Sequence, residues 1–269
     1  MTRQSAEHHC DGVWIDLDAV LDAAGVDQLN EAALVAASVG AAGLIGDGDA
    51  LRRTRVPQSL GTLLRGIPEE RAPWDLVLAD APSTIDEASA WSSRTGGQLV
   101  LSENALSSLD ADRLDRLGGA GLVAAIWCGG TEGEALELTR SFEGWTGFHG
   151  GLEFAAAYRA GAGALAGPIP LLHPALGMAL HELCRDDVEQ AHTAERRLAR
   201  WLEASVLPAC RTLGLERPEL GRAAIEIGGW LRTGDTLPGE QKLELRHQLI
   251  ELSVSLGLDP VARLMSEAS

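Results

Sequence analysis

The chain has 269 residues, 45% of them hydrophobic, which is apolar material enough for one large domain or two small ones. A formal net charge of −17 and a pI near 4.7 exclude a basic surface for nucleic acid or for an anionic membrane and describe a solvated acidic exterior. Cys10, Cys128, Cys184 and Cys210 form no CxxC pair and no metal-knuckle spacing, so reduced thiols in a cytoplasmic protein are expected, not disulfides.

Residues 1–10, with His8 and His9, lack an apolar signal core and read as a mobile tail; no run is long enough to span a bilayer. Residues 13–17 alternate as a first strand that ends on Asp16 and Asp18. Asp27 then caps a helix whose Leu29, Ala32, Ala33, Ala36 and Val39 share one face. A short strand at 43–45 runs into Gly46-Asp47-Gly48-Asp49. Residues 51–73 are the least legible: a short strand fits within 60–67, whereas Arg52, Arg53 and Arg55 read as an exposed segment.

Residues 74–79 form a strand closing on Asp80. A helix over 84–94 is stopped by Gly96-Gly97. The next strand, 98–101, closes on Ser102-Glu103-Asn104, and Asp110 caps a short helix through Leu114 and Leu117. Residues 121–130 are a continuous apolar run ended by paired glycines, the pattern of a fully buried parallel strand entering a βα loop. A capping box at Thr131 and Glu134 predicts a helix carrying Ala135, Leu138 and Phe142.

Residues 145–150 read as a strand, 152–159 as a helix and 163–167 as a strand. The rest is helical: 175–184, a helix capped at Asp186 that runs through Leu202, then 217–233 and 240–256. Seven or eight βα units imply a parallel sheet, and the count favours a closed (β/α)8 TIM barrel over residues 11–202. Residues 203–269 would form a C-terminal helical segment packed on it. No glycine fingerprint of the dinucleotide or P-loop kind follows any strand, so no nucleotide cofactor is expected.

The second half resembles the dihydrodipicolinate synthase / N-acetylneuraminate lyase family of pyruvate aldolases. The segment 161–167 with Pro174, and helices at 175–184 and 187–202, is similar to that family's eighth strand and following helix pair. Segments 217–229 and 243–258, with Leu237-Pro238, resemble its C-terminal helices. Strands at 122–130 and 145–150 match the spacing of its sixth and seventh. The resemblance is good from about Leu99 to Leu258 and poor before that, as if the barrel were shortened in its first half.

That resemblance implies a Schiff-base lysine at the end of the sixth strand, where this chain has Trp127 after Ile126. It implies a proton-relaying tyrosine at the end of the fifth, where Ser102 stands. It also implies a carboxylate-binding threonine pair after the second strand, where the acidic 46–49 loop would repel a carboxylate. The only lysine, Lys242, falls in the C-terminal segment, and the only tyrosine, Tyr158, falls on a helix. A Schiff base needs an amine beside the substrate carbonyl, so the ordinary family reaction is excluded on this reading. The family's dimers and tetramers make a homo-oligomer an expectation.

The predicted strand ends collect Asp16, Asp47, Asp49, Asp80, Ser102, Glu103, Asn104, Trp127, Cys128, His149 and His173. Carboxylates in βα loops also serve as Asx turns and helix caps, and a buried thiol or a proline-flanked histidine is commonly structural. Glu103 and His149, at the ends of strands five and seven, are the candidate proton-transfer pair, converging over the mouth as base and acid. Trp127, Ser102, Asn104, Asp80, Cys128 and His173 are the candidate substrate-binding residues, Trp127 offering either an apolar floor or a plug. Asp80, Glu103 and His149 could alternatively hold a divalent cation; the primary reading uses no metal and no cofactor. Two functions compete. One is a non-covalent lyase, isomerase or cyclase acting on a small specialised metabolite; the other is a pseudoenzyme serving as a binding or partner subunit.

Overall fold

The computed structural model describes residues 10–21, 26–66, 74–79, 82, 84–102, 105, 109–128, 145–258, 261–262 and 264. Eight parallel strands close on themselves in sequence order: β1 (Gly12–Asp16), β2 (Gly43–Gly46), β3 (Gly61–Arg65), β4 (Leu76–Ala79), β5 (Gln98–Ser102), β6 (Val123–Cys128), β7 (Thr146–His149) and β8 (Ala162–Leu165). Closure is made by β8 pairing with β1, Ala164 opposite Gly12 and Leu165 opposite Val13. The expected (β/α)8 barrel is therefore the fold. Successive strand residues face opposite sides, which separates two apolar layers.

The inner layer holds Trp14, Ile45, Leu63, Leu76, Val100, Ala125, Phe148 and Ala164. Trp14 is fully buried and crosses the lumen toward β2 and β3. Glycine is required opposite it: a Cβ on Gly43 would stand 2.4 Å from the Trp14 ring, and one on Gly61 3.0 Å away. The outer layer, with Val13, Ile15, Leu64, Leu99, Ile126 and Leu165, packs against the helices. Irregular registers between Leu99 and Val100 and between Gly147 and Phe148 shift β5–β6 and β7–β8.

The helices are α1 (Asp18–Leu21), α2 (Val26–Ser38), α3 (Gly48–Arg53), α4 (Ile85–Thr95), α5 (Ala111–Gly119), α6 (Phe154–Ala160), α7 (Pro168–Leu172), α8 (Pro174–Asp186) and α9 (Val188–Trp201). A π-helical turn (Leu202–Val206) leads into α10 (Leu207–Thr212), followed by α11 (Arg217–Gly228) and α12 (Gly239–Ser255). Local chemistry explains several boundaries. Thr84 and Asp110 accept hydrogen bonds from Glu87 N (3.1 Å) and Arg113 N (2.8 Å), and Gly96 ends α4 in the left-handed region.

Differences from the sequence reading are local. Residues 48–53 are helical because Asp47 caps them, accepting from Asp49 N (2.9 Å) and Ala50 N (2.7 Å). The cap of α9 is Asp187, not Asp186, since only its carboxylate reaches Glu189 N and Gln190 N. The π-helical turn begins where the barrel was expected to give way to the C-terminal segment. Of the tail expected at 1–10, residues 1–9 lie outside the described residues, as does the helix expected after Thr131, whereas Cys10 is buried against the inner layer and is no part of a mobile tail.

Among the C-terminal helices, α11 packs against α7 and α1, the helices that follow β8 and β1. Gly228 on α11 packs so closely on α7 that a Cβ there would lie 1.4 Å from the Leu172 carbonyl oxygen. Trp230 Nε1 donates to the Leu171 carbonyl at 2.9 Å. Among the described residues, no helix is long and apolar enough to cross a membrane.

Candidate functional site

The carboxyl ends of parallel barrel strands form the face where such folds place chemistry. Alternation from the inner layer puts Asp16 above Trp14, Arg65 above Leu63 and Ser102 above Val100 on the lumen side. Leu78 and Trp127 complete this upper ring, both half-buried against the inner core. The ring of Trp127 stacks on Phe148 (centroids 5.8 Å apart, 16° between planes), and Phe148 meets the edge of Trp14 at 5.2 Å. An aromatic column thus runs through the lumen from Trp14 up to the mouth. Trp127 also lies over the backbone of Gly150, where a Cβ would come within 3.1 Å of its Cζ2.

Across the mouth, Arg65 is gripped by two carboxylates. Its Nη2 donates to Asp16 Oδ2 at 2.5 Å and its Nη1 to Asp18 Oδ2 at 2.6 Å. Asp16 Oδ1 accepts from Asp18 N, and Asp18 Oδ1 accepts from Asp47 N. The clasp ties β1 to β3 over the glycine end of β2. Burial raises the proton affinity of Asp18, the Asp16 charge adds to it, and Arg65 opposes both. A partly buried carboxyl of raised pKa at a barrel mouth is a reasonable proton carrier.

The expected convergence of Glu103 and His149 over the mouth does not occur on the His149 side. Phe148 takes the lumen, so the next residue faces outward, and His149 lies 6.5 Å from Phe154 with 1% exposure. Its Nε2 accepts from Glu153 N at 3.3 Å, its Nδ1 is buried with no hydrogen-bond partner among the described residues, and burial lowers its pKa to about 4. Cys128 is likewise outward and buried in the helix-facing layer. His173 caps α8, Nδ1 accepting from Ala175 N at 3.1 Å, and burial brings its pKa to about 4.

Ser102 is on the lumen face, with its hydroxyl oxygen accepting from Ala105 N at 3.1 Å. Asp80, Glu103 and Asn104, the first two of them members of the possible cation set, lie outside the described residues. Among the described residues, no group of three His, Cys, Asp or Glu side chains could hold a metal.

Sequence reasoning missed Arg65 and Glu195. Arg65 ends a strand inside the stretch that could not be parsed, so its facing could not be assigned. Glu195, 1% exposed on α9, accepts from Phe154 N (2.6 Å) and Ala155 N (3.0 Å). Nothing in its helical surroundings distinguishes it from a solvent-facing glutamate, except that it falls on the apolar stripe with Ala191 and Leu198.

No protein-family model matches the sequence, and no curated protein matches it. Solved structures do share the fold. N-acetylneuraminate lyase from Fusobacterium nucleatum superposes with a TM-score of 0.63 at 12% identity, covering 92% of this chain and 99% of that one. The Ruminococcus gnavus sialic acid aldolase gives 0.63 at 12% identity, over 97% and 98%. Dihydrodipicolinate synthase from Bacteroides thetaiotaomicron gives 0.65 at 11% identity, over 90% and 98%.

Proposed function

We propose that this chain is a barrel of the pyruvate-aldolase type that has given up covalent catalysis, and that its mouth carries proton-transfer chemistry on a small specialised metabolite. The reaction class is a lyase, isomerase or cyclase step in which a C–H or O–H proton moves and no Schiff base forms. The observation that supports it best is the mouth itself: a partly exposed Trp127 ring on the lumen side of β6, across from a carboxyl–guanidinium clasp. Lys242, the chain's one lysine, stands on α12 with its amine 3.2 Å from Asp235, outside the barrel.

In this reading Asp18 carries the proton and Asp16 and Arg65 hold it in place. Glu103 is the partner acid or base. Trp127 supplies a flat apolar floor that favours a ring or an extended conjugated substrate. Two rim carboxyls, Asp16 and Asp18, against one guanidinium, with the Asp47 carboxylate capping α3 beside them, favour a neutral or cationic substrate over a keto acid. His149, turned outward, supports the loop beside the mouth and does not touch substrate.

The aromatic column in the lumen favours a second reading, a pseudoenzyme that binds a ligand or partner without turnover, because it occupies space a substrate would need. One experiment separates them. The protein is incubated in D2O with pooled small metabolites, with and without borohydride, and read by mass spectrometry. Deuterium uptake or conversion of a compound, insensitive to borohydride and lost in Asp18→Asn, is expected. Binding with no exchange would assign the pseudoenzyme role, and a borohydride-trapped adduct would restore covalent chemistry.

A further inference from the structure

We infer that Glu195 and His149 form a proton-operated latch on the turn between β7 and α6, and that this turn passes the state of the latch to Trp127 at the mouth. The inference is independent of which reaction, if any, the mouth performs.

The latch is built from three hydrogen bonds to consecutive backbone amides. His149 Nε2 accepts from Glu153 N, and the two oxygens of Glu195 accept separately from Phe154 N and Ala155 N. Three of the N–H groups at the start of α6 are therefore satisfied by side chains from β7 and α9, and Glu153 itself makes no side-chain cap. Between this anchor and the mouth lie only Gly151 and Leu152. Gly150, the next residue back, is where the Trp127 ring rests. Gly150 is also pressed against β8's exit: a Cβ on Gly167 would lie 2.4 Å from the Gly150 carbonyl oxygen. A turn fixed so tightly at one end transmits a displacement at the other instead of absorbing it.

The carboxylate form of Glu195 can make both amide bonds with charge assistance. Protonation converts one oxygen into a hydroxyl, which is a poor acceptor, and weakens one of the two. Burial favours the protonated form and raises the pKa to about 7, with the two amide bonds opposing it and the Glu153 charge adding to it. His149 is neutral over the same range, since burial lowers its pKa to about 4. It therefore holds Glu153 N while Glu195 switches.

Other titratable and charged groups lie close by, among them His181 on α8, whose ring stacks on Phe154 at 5.7 Å. From α8, the buried Cys184 thiol is pushed up to about 12 by burial and by the Glu195 charge, so it stays protonated. On the solvent side a cleft of about 280 Å³ runs beside Glu195, and His192, Arg196, Arg200 and Glu203 line it together with Glu153. His192 brings an imidazole into that cleft, so it is tested separately.

The full chain labelled with 5-fluorotryptophan and nitrogen-15 provides the test, titrated between about pH 5.5 and 8.5. The Trp127 fluorine resonance, assigned by its loss in Trp127→Phe, is expected to move together with the Phe154 and Ala155 amide signals, with one midpoint near 7. Glu195→Gln should flatten all three, and His192→Gln should leave them unchanged. Amides that titrate while Trp127 stays still would break the link to the mouth, even if no variant folded. Signals that are flat in the unmodified chain, that still titrate in Glu195→Gln, or that stop titrating in His192→Gln would also overturn the latch.

Discussion

Burial sets the protonation of His149 and His173, for each has lost water without gaining a carboxylate, and each is brought down to about 4. An unfolded chain takes up these two protons as pH falls below about 6.5, and the folded one does not. Their contribution is therefore fully present above that pH and is lost on acidification toward 4, on the order of 3 kcal/mol each. Glu195 acts in the opposite sense. Its folded pKa of about 7 lies above its unfolded value, so its contribution is fully present at low pH and is lost as pH rises from about 4.5 to 7. Two histidines outweigh one glutamate, so thermal midpoints should fall between pH 7.5 and about 4.5. His173→Asn keeps an acceptor for Ala175 N without a titratable ring and should show a smaller fall. Equal acid sensitivity in the two proteins would remove His173 from this account.

At the scale of elements, β1, β2 and β3 are held in register by one side chain as much as by their hydrogen bonds. Trp14 occupies the space that side chains on Gly43 and Gly61 would need, and the Gly61 carbonyl stands 2.7 Å from where a Gly43 Cβ would be. Neither obstacle is a flexible chain end. Gly43→Ala should cost about 3 kcal/mol in chemical denaturation, the upper part of the usual range for overpacking. Trp14→Phe should recover part of that loss when combined with it, because the two positions share one volume. Simple additivity in that cycle would mean that β2 moves away from Trp14. The Asp16–Arg65–Asp18 clasp joins the same strands, but its partly exposed charges are screened by solvent and add little to stability.

For the whole molecule, the C-terminal helices are part of the core. Ala223, Ile225 and Ile227 of α11 share one continuous buried cluster with Val13, Ile15 and Leu17 around β1 and with Leu172 of α7. The inner layer is the smaller of the two buried clusters, and the larger lies between strands and helices. A chain ended at residue 202 should therefore lose the sharp thermal transition of the full protein, measured by circular dichroism. Retention of that transition would show that the barrel folds alone.

The amino-acid sequence by itself determined the parallel βα alternation, the cap at Asp110, and the residues of most strands. Each of these depends on a period of two or on a side chain bonding to its own neighbourhood. It also determined that Lys242 and Tyr158 stand away from the strand ends. Only the tertiary structure decided which strand-end residues reach the lumen. Phe148 and His149 are adjacent, and closure of the barrel sends one inward and the other beneath α6, a choice no local pattern contains. The same holds for Arg65, which finds Asp16 and Asp18 through pairing across β2, and for Glu195, which meets the first turn of α6 some forty positions away in the chain. Contacts between distant segments depend on how elements pack, and packing is a property of the closed barrel as a whole.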